Sequence, residues 1–98
     1  MTIEKKKTDG GLEIALGGRL DTMTAPELEA ELNRSLDDAE TLLFDFSALE
    51  YISSAGLRVL LAAQKRMNKK GGMTVTHVSE PIMEIFEVTG FTDILNIE

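Results

Sequence analysis

Two adjacent serines, Ser53 and Ser54, are the residues of this chain best suited to chemistry. They lie in the segment 51–57 (YISSAGL), where an apolar stretch meets a run of residues with helical spacing. A serine at the start of a helix lies beside unpaired backbone N–H groups, and the helix dipole favours negative charge there. Such a hydroxyl either caps the helix or carries a phosphoryl group. The pattern alone favours the capping role.

A hydrolytic role for Ser54 would require a base within hydrogen-bonding reach, oriented by a third group. The single histidine, His77, falls in the middle of a predicted strand, and we interpret it as a packed or surface residue. The clustered lysines of the second predicted helix lie toward its far end. We therefore predict that the protein is not an enzyme.

Composition narrows the classes of partner. The 98 residues predict one domain, residues 1–98, and they carry a net charge of −7 with no cysteine and one histidine. We expect neither a metal nor a cofactor, and no binding to nucleic acid or membrane, because both present negative charge. A cytoplasmic location is expected, since cysteine and a secretion signal are both missing. The binding partner is therefore expected to be a protein or a small ligand.

Three helices and four strands are predicted from the spacing of apolar residues. The helices span 24–36, 54–70 and 79–90, and a short turn follows at 91–95. Thr24 and Glu27 have the spacing of a capping box, and the basic second half of the middle helix is interpreted as a solvated face. The strands span 2–8, 12–16, 41–46 and 73–78, with a hairpin turn at Asp9-Gly10-Gly11.

The predicted order β-β-α-β-α-β-α indicates a small α/β domain with helices packed on a mixed, mostly parallel sheet. The strand at 41–46 is expected to be covered on both faces. Ligands of such sheets bind beyond the carboxyl ends of the strands. Three segments should therefore meet there, namely 17–22, 47–54 and 78–81. Gly56 either admits a close-lying nucleotide or backbone, or relieves crowding against the sheet.

Several segments together resemble the STAS domain of bacterial anti-sigma-factor antagonists. Residues 16–21 (LGGRLD) resemble the family segment L-x-G-x-L-D, and the apolar strand 42–46 leads into the signature-like segment 51–57. Residues 70–72, 78–81 and 86–91 also fall where that family has similar segments. The resemblance covers almost the whole chain.

The resemblance implies a function. Family members bind an anti-sigma factor that is also a serine kinase, and they thereby release a sigma factor. The kinase phosphorylates the antagonist on a serine at this helix start, and a serine phosphatase removes the phosphoryl group. By position the phosphoacceptor is Ser54, and Ser53 replaces the usual Asp and is a rival acceptor. Ser54 is preferred because it keeps the spacing to Gly56 and Leu57. The docking surface is predicted to contain the exposed edge of the second helix together with Asp21, Thr22, Ser53, Ser54, Gly56 and Leu57.

An alternative implied by the same resemblance is an interaction module without a switch. STAS-like domains of this second kind belong to lipid-transport complexes and to large signalling scaffolds. A serine in the acceptor position favours the switch, and incubation with a kinase and ATP separates the two hypotheses.

Overall fold

The computed structural model describes residues 1–98 as one five-stranded sheet with three helices. The strands are β1 (Thr2–Thr8), β2 (Gly11–Leu20), β3 (Thr41–Ile52), β4 (Met73–Thr76) and β5 (Asn96–Ile97). The helices are α1 (Ala25–Ser35), α2 (Ser54–Met67) and α3 (Glu80–Thr89), with 3₁₀ turns at Leu36–Asp38 and Phe91–Asp93. The predicted α/β class and mixed, mostly parallel sheet are confirmed, and no helix has the length and apolar character needed to cross a bilayer.

The sheet follows chain order, β1-β2-β3-β4-β5, with β1 antiparallel to β2 and the other pairs parallel. Thr8 pairs with Gly11, so Asp9 and Gly10 form the two-residue turn, and Gly10 has a φ of 76° that favours glycine. The predicted hairpin is therefore confirmed. The fifth strand was not predicted, because two residues are too short to show a periodic pattern.

The hydrophobic core lies on one face of the sheet. Ile14, Phe44 and Val75 occupy one row of the register across three strands, and all three are fully buried beneath the helices. Burial of each such side chain contributes roughly 1.5–3 kcal/mol. On the opposite face Leu43 and Asp45 are half-buried. The prediction that residues 41–46 are covered on both faces is wrong, because the three helices pack on the same side.

Strands β2 and β3 extend well beyond their predicted ends at Leu16 and Phe46. Their parallel pairing continues to Leu20 opposite Ile52, with register shifts between Ala15 and Gly17 and between Gly18 and Arg19. Bulges of this kind accommodate extra residues and re-aim the strand. Much of the two segments predicted as loops, 17–22 and 47–54, is therefore strand.

Candidate functional site

The neighbouring ends of β2 and β3 form the platform of the candidate site. Leu20 lies opposite Ile52, and the Ser53 backbone N–H donates to the Leu20 carbonyl at 2.9 Å. Asp21 and Ser53 are therefore the next residues on two paired strands, as the sequence predicted. The third predicted segment, 78–81, is not brought to this site by strand pairing. It follows β4, which ends at Thr76 opposite Asp45, seven residues before Ile52. The strand register thus joins two of the three segments at this site.

Ser53 is the N-cap of α2. Its backbone is extended, with φ −99° and ψ 175°, and its half-buried hydroxyl accepts a hydrogen bond from the Gly56 backbone N–H at 3.4 Å. This is the usual geometry of a serine cap, although the bond is long. The capping role that the sequence pattern favoured therefore falls on Ser53, and its hydroxyl is engaged within the chain.

Ser54 is the first residue of α2, and its side chain is exposed. No hydrogen bond within the chain involves its hydroxyl, and the first turn of α2 contains no acidic residue. Backbone N–H groups of that turn lack intrahelical partners, so a negative group at this position is electrostatically favoured. The Ser54 hydroxyl therefore differs from that of Ser53, which accepts a hydrogen bond from the Gly56 N–H.

Gly56 and Leu57 are both buried directly beneath this surface. A Cβ at Gly56 would lie 2.7 Å from Leu20 Cγ and 2.9 Å from Ile52 Cγ1. The glycine therefore allows α2 to approach the ends of β2 and β3, which is the crowding alternative rather than access for a nucleotide. Direct contact of these two residues with a partner stays a prediction, since they support the surface from below.

The turn from β2 into α1 is organised by Asp21. One carboxylate oxygen of Asp21 accepts hydrogen bonds from the backbone N–H groups of Met23 at 3.0 Å and Thr24 at 3.1 Å. Desolvation raises the pKa of Asp21. The hydrogen bonds from Thr24 and Met23 and the nearby Arg19 charge lower it by more, so the pKa of Asp21 is lowered overall. Thr22 is exposed at the apex of this turn.

The predicted capping box of Thr24 and Glu27 does not form. Thr24 is the N-cap of α1, but it has a helical backbone and its side chain makes no cap bond. Its hydroxyl instead donates to the Arg19 carbonyl at 2.7 Å and accepts from the Asp21 N–H at 2.8 Å. Asp21 instead holds the turn that leads into α1, because its backbone carbonyl accepts hydrogen bonds from the Thr24 and Ala25 N–H groups at 3.2 and 2.8 Å.

Four exposed residues on the segments that meet at this site were not named in the sequence predictions: Arg19, Met23, Tyr51 and Arg58. Arg19 and Tyr51 pair across β2 and β3, and the guanidinium lies 4.2 Å from the ring centroid. Met23 is 83% exposed, which is unusual for so large an apolar side chain. The exposed side chains of these segments are therefore mixed in character, with two cations, an aromatic ring and a large apolar group.

The sequence predicted that His77 lies in the middle of a strand, and this prediction is wrong. Strand β4 ends at Thr76, and His77 follows it with a left-handed φ of 58° and an exposed side chain. Its Nδ1 lies 3.1 Å from Asp45 Oδ1, and the pKa of Asp45 is lowered chiefly by a hydrogen bond from the Ser47 N–H, with a smaller contribution from His77. The His77 side chain thus bonds to Asp45, and no hydrogen bond joins it to Ser54.

Comparison with known proteins places this arrangement in a family. A model described as "STAS domain" matches residues 2–98. The chain belongs to the STAS domain family. A protein of Bordetella bronchiseptica, BtrV, which is described provisionally as an anti-sigma factor antagonist, is 35% identical over 99% of this chain and 85% of its own length. The anti-sigma-B factor antagonist of Bacillus subtilis is 26% identical over 99% of this chain and 90% of its own.

Solved structures show the same fold. An anti-sigma factor antagonist from Mycobacterium paratuberculosis matches with a TM-score of 0.89 and 27% identity, covering 98% of this chain and 83% of its own. The antagonist SpoIIAA matches in its unphosphorylated form with a TM-score of 0.78 at 15% identity, covering 99% of this chain and 87% of its own. The phosphorylated form of SpoIIAA from Bacillus matches with a TM-score of 0.76 at 17% identity, covering 99% of this chain and 91% of its own. These named relatives and solved structures are all described as anti-sigma factor antagonists or as forms of one.

Proposed function

We propose that this STAS domain is a phosphorylation-switched antagonist of an anti-sigma factor. In its unphosphorylated form it binds an anti-sigma factor that is also a serine kinase, and binding frees a sigma factor. Phosphorylation of Ser54 ends that binding, and a serine phosphatase restores it. The matches to anti-sigma factor antagonists support the class of function, and the surface around Ser54 supports the switch.

The difference between the two serines carries this proposal. Ser54 is exposed at the first position of α2, whereas the half-buried Ser53 hydroxyl is occupied by the Gly56 N–H. A kinase must place the acceptor oxygen in line with the transferring phosphorus, which requires a free and accessible hydroxyl. Ser54 meets that requirement without unfolding the helix start, and Ser53 would first have to give up its cap.

The chemistry of the switch is a phosphoryl transfer. The Ser54 Oγ attacks the γ-phosphorus of ATP held by the kinase, an O–P bond forms, and the bond to the β-phosphate oxygen breaks. ADP leaves, and the hydroxyl proton passes to a base of the kinase or to solvent. In the reverse direction, water attacks the phosphoserine, inorganic phosphate leaves, and the Ser54 hydroxyl is regenerated.

Electrostatics explain how the modification would end binding. A phosphoryl group adds about −1.5 to −2 charges near neutral pH to a domain that already carries −7. The helix start tolerates this charge, so the fold survives. Repulsion arises when the surface docks against a partner that holds nucleotide phosphates beside the serine, since like charges repel strongly in a desolvated contact. A loss of about 2.7 kcal/mol weakens binding by roughly 100-fold.

The test is incubation of the purified protein with ATP and its co-purifying kinase, followed by localisation of phosphate by peptide mass spectrometry. We expect one phosphoryl group on Ser54 in the wild type, none in Ser54→Ala, and one on Ser54 in Ser53→Ala. Phosphate on Ser53 in the wild type would contradict the assignment. Binding without any phosphate transfer would support the non-switching interaction module instead.

A further inference from the structure

Arg58 differs from the other three arginines of the chain in having no carboxylate partner. Arg19 pairs with Asp21, Arg34 with Glu31 and Arg66 with Asp37, at 3.6, 3.0 and 2.9 Å. Arg58 is exposed on α2, and no acidic residue stands three or four positions away on either side, where helical ion pairs form. Its guanidinium is therefore free to bind an anion.

Arg58 lies four residues after Ser54 in the same helix, so the two side chains share one face. Side chains of an α-helix lean toward its N-terminus and cover the surface of the preceding turn. For Arg58 that surface is the one that presents the Ser54 hydroxyl. Both residues are exposed, and neither side chain makes a hydrogen bond or an ion pair within the chain.

We propose that Arg58 binds the phosphoryl group once Ser54 carries it, and this inference rests on the proposed modification of Ser54. The planar guanidinium donates hydrogen bonds to two phosphoryl oxygens, a geometry that arginine satisfies better than lysine. Phosphorylation then changes two features of the docking surface at once. It adds negative charge at Ser54, and it withdraws the free cation of Arg58 from contact with a partner.

The test uses protein with phosphoserine installed at position 54 during translation, so that no kinase is needed. The second pKa of the phosphoryl group is measured by phosphorus NMR as a function of pH in the wild type, Arg58→Gln, Arg58→Lys and Lys65→Gln. Lys65→Gln is the matched control, because it removes an exposed cation from the same helix about 16 Å from Ser54.

A free phosphoserine has a second pKa of about 6, and a neighbouring cation lowers it. We expect Arg58→Gln to raise the measured pKa by about 0.5 units, Arg58→Lys to raise it by about half as much, and Lys65→Gln to leave it unchanged. The difference should shrink at about 1 M salt, where an exposed pair is screened.

Equal pKa values in the wild type and Arg58→Gln would overturn the proposal, as would an equal shift in Lys65→Gln. This outcome is separate from failure of the proposed function. If the kinase places phosphate elsewhere while the NMR shift is present, the contact exists and the switch assignment is wrong. If the kinase modifies Ser54 while the shift is missing, the switch stands and the role of Arg58 is wrong.

Discussion

The two ends of α2 use positive charge in different ways. At its C-terminal end, which we call the anchored end, Arg66 pairs with Asp37 at 2.9 Å, and Lys70 just beyond the helix donates to backbone carbonyls. At its N-terminal end, which we call the open end, Ser54 and Arg58 are exposed and have no partner within the chain. The first arrangement serves the fold, and the second leaves groups available for function.

The basic half of the second predicted helix is exposed at Lys65 and Lys69, as the sequence predicted, but Arg66 and Lys70 also bind groups within the chain. Lys70 Nζ donates to the carbonyls of Leu36, Asp37 and Ala39 at 2.6, 3.0 and 2.9 Å. Carbonyls at the C-terminal end of a helix lack intrahelical partners. The ammonium group of Lys70 supplies hydrogen bonds to such carbonyls just after α1. A run of cations on a helix therefore has no single meaning until its surroundings are known.

The largest effect is expected beneath the open end, at Gly56→Val. The new side chain would overlap Leu20 and Ile52, so we expect a loss of about 3 kcal/mol in the free energy of unfolding, measured by urea denaturation. Ala62→Val, at an exposed position of the same helix, is the control and should change stability by less than about 1 kcal/mol. Similar losses in both variants would show that the open end is not tightly packed.

A smaller effect is expected at Lys70→Met, which keeps the apolar stem and removes the ammonium group. Loss of its charged hydrogen bonds should lower the free energy of unfolding by about 2 kcal/mol. Arg58→Met removes the same charge at the open end and should change stability by less than about 0.5 kcal/mol. If the two substitutions cost the same, the distinction between the two ends fails.

The third expected effect is a change in the pH dependence of stability, at Glu31→Gln on α1 rather than at either end of α2. A hydrogen bond from Lys5 at 2.7 Å, together with bonds from Ser35 and Arg34, holds the pKa of Glu31 at about 2. Its stabilisation is therefore complete above the unfolded pKa of about 4.3 and is lost as pH falls toward 2. We expect the urea midpoint of Glu31→Gln to fall less steeply between pH 4.5 and about 2 than that of the wild type.

The wild type and the variant share every other titrating group, so their difference isolates Glu31. Parallel pH profiles would show that this carboxylate is not stabilised by its partners in the folded state.

Periodicity predicted the fold well where elements are long and one-sided. The spacing of Leu28, Leu32 and Leu36 places them on one face of a helix, and all three are buried; the Asp-Gly hairpin is also confirmed. The end of β3 was missed because Ser47 and Ala48 resemble a loop, whereas register shifts carry the strand on to Ile52. Local sequence does not reveal such a shift, since the partner strand determines it.

The site was predictable in position but not in contacts. The sequence identified the serine pair and Asp21, but it could not tell which serine caps α2, because that depends on the backbone angles at the helix start. It assigned a capping box to Thr24 and Glu27, which does not form, and it did not reveal that the Asp21 carboxylate holds the turn before α1. The sequence also could not show that Arg58 alone among the four arginines has no carboxylate partner, because ion pairs depend on the folded structure.

The central claim is tested most directly by titrating the kinase partner, with ADP bound, against this protein carrying either serine or phosphoserine at position 54. Calorimetry should give an affinity at least about 100-fold weaker for the phosphoserine form, with unchanged urea stability and full binding by Ser54→Ala. Affinities of the two forms within about threefold of each other would contradict the account.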